Sequence, residues 1–358
     1  MSGLHLVQKS IGKGRLRYWA LDWLKLVACV LVVVIHVTAA GIVGYVPGSR
    51  LQYLTVIINT LSQFAVPAFI FASGYALAGQ FRDEPRVPEL LKFWYKRLSV
   101  VVLPYVIWTL IYLILQQRFM GVCYGIGGML KLLLTGGAFY HLYFMVILIQ
   151  FYLLFPGLLW FRRRLARYGM DVGLVAVVFL VYAFWLKSGM PLSDRFFLSY
   201  LPFFYAGMVL VDQPLKLVGL SVAGIAGAVA FADLLVARLT AFGAISPTRL
   251  LSMPLAWEIF SLAAVMLLTA WFGTFRVGER SEKWLKLLVG TTFDVYLAHP
   301  LILFFTVRWL RAAGVSSLTL EMVLGLLLGV TLPVLARFGY NALIARFDRK
   351  TPDSGSAA

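Results

Sequence analysis

Long apolar runs, separated by short polar stretches rich in Lys and Arg, organise the whole chain. A helix that crosses a bilayer needs about 20 mostly apolar residues. Read that way, the pattern predicts helices over 19–42, 53–79, 98–116, 138–158, 170–187, 196–211, 214–236, 250–273, 287–308 and 317–340. The expected fold is all-α, a polytopic transmembrane helix bundle of about ten spans. The shortest run, 196–211, is expected to tilt or to lie partly in the interface. Segment 121–137 is Gly-rich with an apolar patch at Met129–Leu134, and reads as an outer loop that dips into the membrane interface. No internal repeat is visible.

Composition sharpens this picture. Hydrophobic residues fill 61% of the 358 positions and charged residues only 13%, against roughly 25% charged in soluble domains. No room remains for a second, soluble domain. The expected division is a cytoplasmic segment over 1–18, one transmembrane domain over 19–340 and a cytoplasmic tail over 341–358.

The net charge of +17 would suggest nucleic acid in a soluble protein. Here the positive-inside rule accounts for it, and no nucleic-acid partner is expected. With the N-terminus placed inside, 22 of the 32 Lys and Arg residues fall in inner segments and nine in outer ones, Lys25 lying within the first span. Both termini are therefore expected in the cytoplasm and the chain in the cell membrane. The first run carries Lys25 and His36 and exceeds the roughly 7–15 apolar residues of a signal peptide, so it reads as a span. The two cysteines, Cys29 within a span and Cys123 in an outer loop, suggest neither a disulfide nor a metal site.

Ionisable residues within a span are costly and mark functional sites by default. Lys25 and His36 are eleven residues apart on the first helix, close to three full turns, so they share a face about 16 Å apart along the axis. They resemble two ends of a path across the membrane. A snorkelling lysine and a packing histidine are the plainer readings. An imidazole titrates near neutral pH and suits general-base work on a hydroxyl. Glu258, Asp294 and His299 lie in later spans, with Pro300 expected to kink its helix. His141 opens the fourth span. Among the acids, Glu258 is the better placed by depth to orient His36, because Asp22 lies about 21 Å away along the helix. Lys96 and Arg97, just before the third span, suit the phosphates of a nucleotide-bearing donor as well as they suit topogenic charge. Ser73-Gly74-Tyr75 reads either as a site or as helix packing through a small residue.

Several of these pieces, in this order, resemble the acyltransferase-3 family of integral membrane acyltransferases. Lys25, ten residues and His36 resemble the family's basic–ten residues–histidine signature. Val66 to Tyr75 resembles its proline-to-Ser-Gly-Tyr segment, and Lys96-Arg97 with Pro104-Tyr105 resembles its basic entry to the third helix. Phe139-Tyr140-His141-Leu142-Tyr143-Phe144, with Tyr152 and Pro156, is similar to its His-Leu-Trp-Phe element, and Tyr296-Leu297-Ala298-His299 to its Tyr-Leu-x-His. The chain departs from the family in carrying Lys25 in place of Arg and Tyr143 in place of Trp.

The resemblance implies a ten-helix bundle that takes acetyl-CoA from the cytoplasm and passes the acyl group to a hydroxyl of a cell-surface or lipid-linked glycan. Its branch resembles the O-acetyltransferases of enterobacterial common antigen. Under that reading His36 removes the acceptor proton or is itself transiently acylated. Lys25 holds the donor, Lys96 and Arg97 bind its phosphates, and Ser73, Tyr75, His141, Glu258 and His299 face substrate. No metal is required. The competing class is a membrane transporter of a glycan or small solute, for which paired broken helices and an internal repeat are expected.

Overall fold

The computed structural model describes residues 8–11, 15–81, 85–168, 192–212, 216–241, 250–275 and 278–348. A short antiparallel hairpin, β1 (Gln8–Ile11) with β2 (Arg15–Tyr18), precedes α1 (Trp19–Gly44). The helices that follow are α2 (Arg50–Ser62), α3 (Ala65–Gln80), α4 (Val87–Met120), α5 (Ile126–Thr135) and α6 (Tyr143–Ala166). After them come α7 (Leu201–Leu210), α8 (Leu217–Ala241), α9 (Met253–Gly273), α10 (Glu279–Ala312) and α11 (Leu318–Asp348).

The fold is a polytopic helix bundle, and the hairpin is its one β element among the described residues. Eight helical stretches there are long and apolar enough to cross a membrane, α2 and α3 forming one of them. They answer to eight of the ten expected spans. The expected run at 196–211 is a shorter apolar helix, Phe197–Leu210. The expected span at 170–187 lies outside the described residues.

Two helices begin well before their apolar runs, and the reason is local. At α4 the Arg86 amide donates to the Glu89 carboxylate at 3.0 Å, a capping arrangement with Pro88 in the first turn. The helix therefore starts at Val87, and Lys96 and Arg97 lie on it rather than ahead of it. α10 similarly starts at Glu279, with Glu279 and Glu282 complementing its N-terminal dipole. Apolarity marks the part of a helix in lipid, not the part that projects beyond it. The Gly-rich segment 121–137 contains α5, a short helix with no buried residue. α10 continues through Pro300, which contributes no N–H to the Tyr296 carbonyl.

The helices pack as two compact units. The first comprises Met1–Lys25, Gln63–Ala237 and Ser246–Arg276. Its centre is the contact of α3 with α7, made close by two glycines. A Cβ at Gly74 would stand 2.1 Å from the Phe204 carbonyl oxygen, and one at Gly207 would stand 2.2 Å from that of Phe71. Phe151 stacks on Phe204 at 4.3 Å between centroids beside this contact. Close backbone approach gains packing that lipid alone does not drive.

The second unit comprises Leu26–Ser62, Arg238–Ile245 and Val277–Ala358. There α10 lies against α11, and Arg337 donates to both carboxylate oxygens of Asp294 at 2.7 and 2.6 Å. This bidentate pair lets two charges lie within spans by satisfying each other.

Candidate functional site

α1 is one unbroken helix, and it carries Lys25 and His36, both half-buried. The ring set against His36 is that of His299 on α10. The two imidazoles stack, with centroids 5.2 Å apart and planes inclined by 24°. His299 is completely buried. Its Nδ1 lies 2.9 Å from the Val295 carbonyl oxygen one turn earlier. A carbonyl only accepts, so Nδ1 carries the proton and Nε2 the lone pair. The helix backbone thus sets both the tautomer and the azimuth of His299, and that ring lies along the face of His36. Two proton-accepting rings share one place inside the second unit, where a hydroxyl proton can be taken up.

The other expected residues belong to the first unit. Arg97 on α4 places its guanidinium carbon 6.0 Å from the centre of the Tyr152 ring and donates weakly to Gln80 at 3.4 Å. The Tyr152 hydroxyl faces the Ser73 side chain as well as Arg97. Trp94 donates to the Tyr152 carbonyl at 2.9 Å, tying α4 to α6. Nearby on the chain, Arg163 donates to the Phe81 carbonyl at 2.7 Å, and Arg162 pairs with Asp212 at 2.5 Å. Ser73 and Arg97 are thus brought together around Tyr152. Lys96, the adjacent residue, is exposed. Tyr75 is buried with its ring 6.3 Å from Phe71, and Gly74 between Ser73 and Tyr75 has the packing role given above.

His141 sits in an aromatic nest, edge-on to Tyr112 at 5.1 Å and beside Phe139 and Tyr140. Glu258 on α9 is completely buried, and neither carboxylate oxygen finds a hydrogen-bond partner among the described residues. The Ser261 hydroxyl, one turn on and equally buried, is in the same condition. Unpaired polar groups at such depth point to a ligand or water that completes them. Among the described residues no group of three or more His, Cys, Asp or Glu side chains is placed to hold a metal ion.

A family model described as an acyltransferase domain matches residues 18–338, nearly the whole chain. The chain belongs to the acyltransferase-3 family. No curated protein and no solved structure matches it. As an acyltransferase-3 protein with eight candidate spans among its described residues, it is a multi-pass membrane acyltransferase. The stacked histidines join the first-helix signature of an acyltransferase-3 chain to its late Tyr-Leu-x-His, two elements at opposite ends of the sequence. Within the second unit the ring set against His36 is that of His299, a partner that depth along the helices alone did not single out. Sequence reasoning also passed over Asn59 and Arg238. Asn59 had no charge to draw attention, and Arg238 read as an outer topogenic charge. Their signal was available only in part, as an amide within a span and a cation at its end.

Proposed function

We propose that this acyltransferase moves an acetyl or similar short acyl group from acyl-CoA to a hydroxyl of a cell-surface or lipid-linked glycan at the cell membrane. The observation that carries the reading is the His36–His299 pair, a proton-accepting site held inside the bundle of an acyltransferase-3 chain. His36 takes the proton of the acceptor hydroxyl as its oxygen attacks the thioester carbonyl. The new C–O bond forms, the C–S bond breaks, and His36 returns the proton to the leaving CoA thiolate. The products are the O-acyl glycan and CoA, with no net proton change. Arg97, backed by Tyr152 and by the exposed Lys96, holds the donor phosphates, because a planar guanidinium offers paired N–H donors to phosphate oxygens. Lys25 holds the donor arm along the path to His36, three turns away on the same helix face. Ser73, Tyr75, His141 and Glu258 of the first unit, and separately His299 of the second, each face substrate, Glu258 with Ser261 being the polar pair still to be completed.

The test supplies acetyl-CoA labelled in the acetyl group to the purified protein in lipid vesicles, with a polyprenyl-diphosphate-linked oligosaccharide as acceptor. The expected result is label on the oligosaccharide as an alkali-labile ester, one per CoA released. Passage of the oligosaccharide across the vesicle membrane without consumption of acetyl-CoA would replace this reading with transport.

A further inference from the structure

The turn of α1 that carries His36 is also held on a face that the His299 contact does not use. Asn59, buried on α2, donates from Nδ2 to the Ile35 carbonyl at 2.8 Å and to Thr38 Oγ1 at 2.9 Å. Ile35 and Thr38 are three residues apart and so lie on one face of α1, with His36 between them in sequence. Thr38 donates to the Val34 carbonyl at 2.6 Å, which turns its hydroxyl hydrogen back along the helix and leaves a lone pair for Asn59.

Arg238, in the last turn of α8, donates from Nη1 to Asn59 Oδ1 at 2.7 Å and reaches Thr60 Oγ1 at 3.5 Å. Guanidinium offers donors only, and an amide oxygen accepts only. The Arg238 bond therefore decides which way the Asn59 amide points. Flipped, the amide would set its NH2 against a cation and its oxygen against the Ile35 carbonyl. With Arg238 in place, the NH2 must face α1. Asn59 is buried, so little water competes for its amide, and each bond of the chain is kept by the next.

We propose that Arg238 and Asn59 are positioning residues for His36. Arg238 orients the Asn59 amide, and the amide holds residues 34–38 so that the His36 imidazole stays aligned with the reacting hydroxyl. The inference rests on the reading of His36 as the base. Neither residue touches substrate. Arg238 is more than a topogenic charge, and its contribution reaches the chemistry through Asn59.

Full-length protein in lipid, turning over acetyl-CoA, gives the test. Asn59→Asp keeps an acceptor for Arg238 but removes the donor to Ile35 and Thr38. It is expected to lower kcat by between about ten- and a hundredfold, as misplacement of a reacting group does, with KM for acetyl-CoA within about twofold of wild type. The limb of the kcat–pH profile set by His36 moves or flattens with it. Arg238→Lys, which keeps a charged donor, recovers part of what Arg238→Ala loses. Should Asn59→Asp fail to fold, Arg238→Gln decides by the same two readouts. Wild-type kcat and an unmoved pH profile in the folded variant overturn the inference, as does a change confined to KM. If His36→Ala is inactive while Asn59→Asp matches wild type, only the positioning role falls. If His36→Ala keeps full rate, the base reading falls and takes this inference with it.

Discussion

His36 and His299 lie ring on ring, 5.2 Å between centroids, although they come from the first and the penultimate helices of the described chain. His299 is fixed by its Nδ1–H bond to Val295, while His36 is carried on a turn held by Asn59. One ring is set by its own helix and the other by a neighbouring helix.

That asymmetry separates stacking from proton chemistry at His299. His299→Phe keeps a ring of similar size against His36 but has no nitrogen. If His299 takes part through its imidazole, kcat for CoA release falls by at least about tenfold, within the range that positioned acid–base groups contribute. A rate equal to wild type in folded His299→Phe protein would reduce His299 to a packing residue.

Donor binding is expected to fall on Arg97 more than on Lys96. Arg97 is half-buried and lies over the Tyr152 ring, whereas Lys96 is exposed. Arg97→Ala should raise KM for acetyl-CoA by about tenfold with kcat little changed, the mark of lost binding shared by ground and transition states. Lys96→Ala should raise it by less than about threefold, because an exposed charge is screened. Steady-state kinetics over a range of acetyl-CoA concentrations checks both, and equal effects of the two substitutions would contradict the assignment.

The contact of α3 with α7 is predicted to tolerate no side chain. A methyl group at Gly74 or Gly207 would meet a carbonyl oxygen at 2.1 or 2.2 Å, far inside contact distance. Backbone cannot yield there as a flexible side chain does. Gly74→Ala and Gly207→Ala should each destabilise the protein by about 3 kcal/mol or more, at the upper end of overpacking costs. Thermal unfolding in detergent measures this, and an unchanged Tm in either variant would show that the helices can separate freely.

Asp294 and Arg337 hold α10 to α11 through two hydrogen bonds, and both side chains are partly exposed. Because the pair lies within candidate spans, Arg337→Ala leaves the Asp294 carboxylate uncompensated and should lower stability by about 2 kcal/mol or more, above the cost of an exposed surface pair. The exchanged pair Asp294→Arg with Arg337→Asp should restore most of the loss. Failure of the exchange to restore Tm would mean that other neighbours, not the pair, set the cost.

Much of the bundle was legible in the sequence because a span announces itself by length and apolarity. Eight expected spans recur as helices, with starts displaced where a polar turn such as Arg86–Glu89 begins the helix early. The short helix Phe197–Leu210 was read as a weaker span for the same reason of length. The site was legible residue by residue but not as a constellation. His36 and His299 each stood out as an ionisable group within a span, yet no spacing rule joins residues on α1 and α10. Glu258 was preferred as the group to orient His36 on depth alone, and depth along a helix does not single out His299, because it says nothing of which face a residue presents. Asn59 and Arg238 escaped because an amide is uncharged and a terminal arginine looks like topology; only their hydrogen bonds to each other and to Ile35 reveal the arrangement.

The central claim is that His36 is the base of an acyl transfer. It is tested most directly by CoA release from acetyl-CoA, comparing the wild-type protein in lipid with His36→Ala. The account predicts steady release by wild type and a fall of about a hundredfold or more in the variant, with both proteins folded and both binding acetyl-CoA. Equal rates in the two proteins would contradict it and move the chemistry away from the stacked histidines.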